Sequence, residues 1–151
     1  MIRILVVLLL FQLLLDCNSA SRKNNSEGLT KVNESTTQNL LLKQSTERGA
    51  LVYEDFCMQC HLANGEGVSG TFPPLAKSNW LIDKRVESIH AVKFGQQGEI
   101  SVNGEIYNGI MVPMGLTDEE IADVMNYIMN SWGNTQDKMV TPEEVSKVLK
   151  D

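Results

Sequence analysis

The sequence predicts an all-α domain carrying one short β-hairpin. Three observations lead there: helical periodicity from Glu47 to His61, a capped helix with an apolar stripe from Thr117 onward, and one short stretch of alternating residues, Gly98 to Gly109. In ERGALVYEDFCMQCH, residues Gly49, Tyr53, Phe56, Cys57 and Cys60 share one face of a helix. In LTDEEIADVMNYIMNSW, the capping box of Thr117 and Glu120 opens a helix whose stripe is Ile121, Val124, Met125, Ile128, Met129 and Trp132. The alternating stretch GEISVNGEIYNG turns at Asn103-Gly104, a dipeptide suited to a two-residue hairpin. Thr141-Pro142-Glu143-Glu144 then caps a last short helix that bears Val145, Val148 and Leu149.

Ahead of that domain the composition changes twice. Residues 1–17 have one basic residue, Arg3, an apolar run from Ile4 to Phe11, then Gln12 and three leucines. About a dozen apolar residues are too few to cross a hydrocarbon core of about 30 Å, and are the size of a signal-peptide core. The chain is therefore expected to be exported. Cys17 follows Leu13, Leu14, Leu15 and Asp16, which resembles the lipobox of bacterial lipoproteins, with Asp16 where Gly, Ala or Ser usually stands. The reading carried forward is a lipid anchor on Cys17, on the periplasmic side of a bacterial membrane. Cleavage near Ala20, which would discard Cys17, and an uncleaved signal anchor are the alternatives. From Asn18 to Thr46, 16 residues are Ser, Thr, Asn or Gln, too polar for a core, and this segment is expected to be a flexible tether spanning roughly 30 Å. The folded domain is expected over residues 47–151.

That domain holds 16 acidic residues against 8 Lys and Arg. So negative a surface disfavours nucleic acid and anionic lipid headgroups as partners, and suits a protein partner with a basic surface.

The chain has three cysteines, and two of them stand in CMQCH, Cys57 to His61. A structural zinc site wants four ligands, and beyond these three the domain has only the distant His90. A thioredoxin-type pair needs a βαβ setting that is absent here. A disulfide between Cys57 and Cys60 would close a very small loop with little entropic return. What remains is the C-x-x-C-H haem attachment sequence, strong in an exported chain. On one helix face both thiols can add to haem vinyl groups, with His61 beneath the iron as proximal ligand.

With YEDFCMQCHLANGEGVSGTFPPLAKSNW, GEISVNGEIYNGIM and LTDEEIADVMNYIMNSWGN in that order, residues 47–151 resemble a class I, single-haem c-type cytochrome. Such domains occur alone, fused to copper nitrite reductases, or attached to terminal oxidases. The resemblance implies a few helices wrapped around one covalently bound haem c, and a methionine as sixth iron ligand. By it the first and last long helices cross, with Gly49 and Tyr127 expected at the crossing because glycine permits close approach and an aromatic ring fills the remaining gap. Met58 lies inside the attachment loop, Met125 and Met129 fall on the apolar stripe of their helix, and Met139 lies in a polar segment. NGIMVPMG is left. Met111 follows Asn-Gly-x and stands seven residues before Asp118, as the family's ligand does, although the proline that usually comes next is displaced to Pro113. Met111 is the choice, with Met114 the alternative and the loser a wall against the porphyrin. By the same resemblance the carbonyl of Pro73 or Pro74 accepts a hydrogen bond from His61, and Trp80 is a core ring or a partner for a haem propionate.

A His/Met pair favours the reduced iron and fills both axial positions. The expected function is therefore one-electron transfer between a donor and an acceptor protein, not catalysis. The chain would serve as the cytochrome of an oxidase, nitrite reductase or dehydrogenase. The rivals are a haem-based enzyme or sensor with a labile sixth ligand, and a docking module in which the haem only supports the fold. His90 is the remaining imidazole for a bis-histidine site and is expected as an ordinary helix residue.

Overall fold

The computed structural model describes residues 26–136 and 138–150. The expected signal peptide, Cys17 and the first part of the tether lie outside the described residues. By packing, the chain divides into Met1–Ser35 and Thr36–Asp151, and everything that forms the site belongs to the second unit.

Helix α1 spans Ser26–Phe56. The segment expected as a coil is thus helical from Ser26. Its residues 33–41 are exposed and polar nearly all round, so packing does not hold them. The reason is cooperative: once the packed turns between Ser45 and Tyr53 exist, each residue added N-terminally costs no new nucleus, and Leu40, Leu41, Leu42, Lys43 and Gln44 are good helix formers. Ser45, two residues ahead of the expected boundary at Glu47, is completely buried. Its Oγ donates to Asp123 Oδ1 at 2.6 Å and accepts from Asn126 Nδ2 at 2.8 Å, while Arg48 clamps the Asp123 carboxylate at 2.6 and 2.7 Å.

The periodicity over 47–61 is interrupted at Cys57, where φ −113° and ψ −35° separate α1 from the four-residue α2, Met58–His61. The hydrogen bonds nevertheless run through, from Cys57 N–H to Tyr53 O and from His61 N–H to Cys57 O, both 2.9 Å. After His61 the chain reverses at Leu62 (φ 64°) into a loop closed by a bridge between Val68 and Phe72. Two short helices follow, α3 (Asn79–Asp83) and α4 (Arg85–Phe94).

The hairpin forms as expected. Strands β1 (Ile100–Val102) and β2 (Glu105–Tyr107) pair antiparallel, Val102 opposite Glu105. Asn103 and Gly104 both have positive φ, 52° and 83°, as the tight turn requires. Reciprocal bonds between Asn103 and Asn79, at 3.0 and 2.7 Å, fasten this turn to the start of α3.

Helix α5, Asp118–Ile128, is opened by the full capping box: Thr117 Oγ1 accepts from Glu120 N–H, and Glu120 Oε2 accepts from Thr117 N–H. Helix α6, Pro142–Lys147, packs on α5 with Thr141 as its cap. α1 and α5 cross at Gly49, where an added Cβ would lie 2.0 Å from Asp123 O and 2.9 Å from Tyr127 Cβ. Beside the crossing, Tyr53, Tyr127 and Trp132 stack as three mutually contacting rings, 4.9 to 5.4 Å between centroids. The core continues through Leu81, Ile89, Val92, Ile121, Val124, Met125, Ile128, Val140 and Val145.

Candidate functional site

Between α2, α4, the hairpin and the inner face of α5 lies an apolar cavity of about 310 Å³. Cys57, Cys60, His61, Met111 and Met114 all line it, so the structure brings together every residue singled out for haem binding, including both candidate methionines. Val92, Val102, Val124, Met125 and Ile128 complete its walls, with Trp80 and Tyr107. His90 is not among the lining residues; it lies on α4 with its ring 5.1 Å from that of Phe94.

His61 is buried. Its Nδ1 stands 3.0 Å from the carbonyl oxygen of Pro73, which settles the expected proline contact on Pro73 over Pro74. A carbonyl only accepts, so Nδ1 carries the proton and Nε2 keeps its lone pair. Burial lowers the His61 pKa below 6.5, partly opposed by the Pro73 bond, and the ring is therefore the neutral form a metal needs. Tyr53 donates to Leu62 O at 2.6 Å, holding the backbone just beyond the histidine. Cys57 is partly buried and Cys60 exposed; burial, with the neighbouring Cys60, pushes the Cys57 thiol up to about 11. The Cys57 thiol is thus the protonated form, suited to a covalent bond made once during maturation and not to turnover.

Across the cavity, the loop from Asn108 to Leu116 has neither helix nor strand. Met111 is its bridged residue: Met111 N–H donates to Gln96 O and Gln96 N–H to Met111 O, both at 2.8 Å. Sequence reasoning missed this contact and most of the wall from α4. The i, i+3 pair Ile89 and Val92 was a faint signal for the helix; nothing local marks Gln96. On the outer side, Glu105 accepts from Ser69 Oγ at 2.5 Å and from Tyr107 OH at 2.8 Å, which ties the Val68–Phe72 loop to the hairpin wall.

The donor set and setting fit a covalently held haem: two thiols on adjacent turns, a buried neutral imidazole with one free nitrogen, thioether sulfurs and apolar walls. The likenesses to known proteins fall on this same region. The sequence profile of the cytochrome c family matches residues 46–132. Cytochrome c-552 of Thermus thermophilus is 41% identical over 109 residues, 66% of this chain and 82% of that protein. The cytochrome c subunit of the quinone-type alcohol dehydrogenase of Gluconobacter oxydans is 33% identical over 104 residues, 66% of this chain but 21% of that longer subunit. CcoP, a subunit of the cbb3-type cytochrome c oxidase of Rhodobacter capsulatus, is 30% identical over 104 residues, 65% of this chain and 34% of the subunit. The family match covers more than half of the sequence and includes the helices, hairpin and loop that enclose the cavity, and so this chain belongs to the cytochrome c family, whose members carry covalently bound haem c and transfer electrons.

Proposed function

We propose that Cys57 and Cys60 hold the haem through thioethers, that His61 and Met111 are its axial ligands, and that the protein relays single electrons between two redox proteins. The observation that carries this reading is the single cavity on which all four side chains converge. When bound, haem c supplies a one-electron iron couple. Everything else is the chain's own work. His61 offers Nε2 because Pro73 occupies Nδ1, and that bond resists ring rotation. Met111 offers a soft sulfur that favours the less charged iron, raising the potential relative to a second histidine. Val92, Val102, Val124 and Ile128 exclude water, which lowers the cost of rearranging solvent when the charge changes. With both axial places filled by protein, no position is open for a substrate, which favours a carrier over an enzyme. Met114 would then be a wall residue.

The names of the longer relatives point to a dehydrogenase or terminal oxidase as partner. The acidic surface suits a basic docking face on it. Export and a lipid on Cys17 would place the domain on the periplasmic face of a membrane. No helix among the described residues is long and apolar enough to cross one.

Absorption spectra of holo protein test the ligand set. Met111→Ala is expected to lose the iron–sulfur charge-transfer band, and its reduced form to bind carbon monoxide readily; Met114→Ala is expected to keep the band. The opposite pattern reassigns the ligand, and fast, complete binding of carbon monoxide by the unaltered protein would favour a sensor or enzyme.

A further inference from the structure

The loop that bears Met111 has little of its own to hold it. From Asn108 to Leu116 it is irregular, and Ile110 and Val112, on either side of Met111, are 77% and 60% exposed. A loop with so little regular structure does not by itself fix a thioether; something must hold the backbone beneath it. The structure supplies that at the end of α4. Helix α4 stops at Gly95, in the positive-φ region (φ 90°), its N–H still bonded to Ala91 O at 3.0 Å. That conformation turns the next residue, Gln96, sideways to the helix, and both backbone groups of Gln96 then pair with Met111 at 2.8 Å. The fit is close. A Cβ on Gly95 would stand 2.7 Å from Met111 O and 3.0 Å from Pro113 Cδ. Glycine is thus required at position 95 for two independent reasons, the sign of φ and the nearness of the methionine backbone.

We propose that Gly95 and Gln96 are the positioning residues for the sixth ligand: the end of α4 clamps the Met111 backbone and thereby decides how firmly its sulfur stays on the iron. This rests on the reading of Met111 as that ligand. Among the described residues Met114 has no comparable bridge, so the clamp also accounts for why the first methionine and not the second is held. The displaced proline has a part as well. Pro113, which lies two places after Met111 and not next to it, packs its ring against Gly95.

The test uses the mature haem-loaded protein. Gly95→Ala is expected to retain the covalent haem but to lose most of the iron–sulfur charge-transfer band, and its reduced form to bind carbon monoxide at least about tenfold faster, roughly 1.4 kcal/mol of weakened hold. Gly104→Ala is the control, because its φ is similarly positive (83°) but an added Cβ there meets open space. It should leave both readouts unchanged, so that backbone strain alone is not the cause. If Met111→Ala loses the band while Gly95→Ala keeps both the band and the slow binding, the clamp is wrong and the ligand assignment stands. If Met111→Ala keeps the band, the assignment fails and the clamp with it. Should Gly95→Ala not mature, amide exchange in the unaltered protein decides: the clamp requires slow exchange at Gln96 and Met111 beside fast exchange at Ile110 and Val112, and uniformly fast exchange overturns it.

Discussion

Among the described glycines, Gly49 has the tightest surroundings. Its missing side chain lets α1 come within 2.0 Å, measured to a hypothetical Cβ, of the Asp123 carbonyl, and no rotation of a flexible neighbour can relieve a clash with backbone. Gly49→Ala must push the two long helices apart and loosen the rings of Tyr53 and Tyr127 beside them. The expected cost is about 2–4 kcal/mol, or roughly 10–20 °C in Tm for a domain of this size, followed by circular dichroism of the holo protein. A melting temperature within a degree or two of the parent would refute the close crossing. His61 shows the opposite kind of constraint. Its buried ring is held by one hydrogen bond to Pro73 O, and that bond sets which nitrogen is available.

At the scale of elements, the C-terminal segment beyond residue 132 is fastened by a few polar contacts of high quality. Arg85, the first residue of α4, grips Glu144 of α6 through Nε and Nη2 at 2.7 and 3.0 Å, and reaches Gln136 Oε1 at 3.0 Å with Nη1. Both partners of the ion pair are about a quarter exposed. The Arg85 bond holds the Glu144 carboxyl below its ordinary value of 4.5, against the opposing effect of burial. A lowered folded-state pKa means that the unfolded chain takes up the proton first. The stabilisation is therefore fully present above about pH 4.5 and is lost as pH falls through the lowered folded value. Glu144→Gln is expected to cost about 1–2 kcal/mol at pH 7, a difference that should narrow on acidification to pH 3. Denaturant titrations of both proteins at the two pH values measure it. A gap that persisted at pH 3 would mean the residue acts by packing. Asn126 does similar work further along: its side chain donates to Val140 O and accepts from Val140 N–H, at 2.9 and 2.8 Å, which seats the strand-like approach to α6 on α5.

For the molecule as a whole, the cofactor is part of the core. Little more than a hundred residues bury a modest share of their surface, and the walls of the cavity, among them Val92, Val102, Val124 and Ile128, face one another across a space that the haem would fill. The double variant Cys57→Ala/Cys60→Ala, which cannot retain haem, is accordingly expected to be largely unfolded. Thermal scans and amide dispersion in proton spectra would show this. A cooperative transition close to that of the holo protein would show instead that the polypeptide supports itself.

What could be read from the residues in order was whatever depends on near neighbours. Cys57, Cys60 and His61 lie within five residues, the Asn103-Gly104 hairpin within a handful, and the capping box of α5 within four, so the attachment motif, the hairpin and the helix starts follow from local geometry. The Gly49 crossing was legible through the family resemblance, with glycine as the residue that permits the close approach. The polar composition of residues 18–46, by contrast, pointed to a coil where the chain from Ser26 is helical, because composition does not register that a packed helix can propagate into a segment with no core of its own. Beyond reach in the same way were the choice of Pro73 over Pro74, the inclusion of Ser45 in the buried network and the bridge from Gln96 to Met111. These contacts join groups 12 to 81 positions apart; those of Pro73 and Gln96 depend on backbone groups that every residue has, and that of Ser45 on which distant side chains meet it, so only the packed chain reveals which groups arrive within hydrogen-bonding distance.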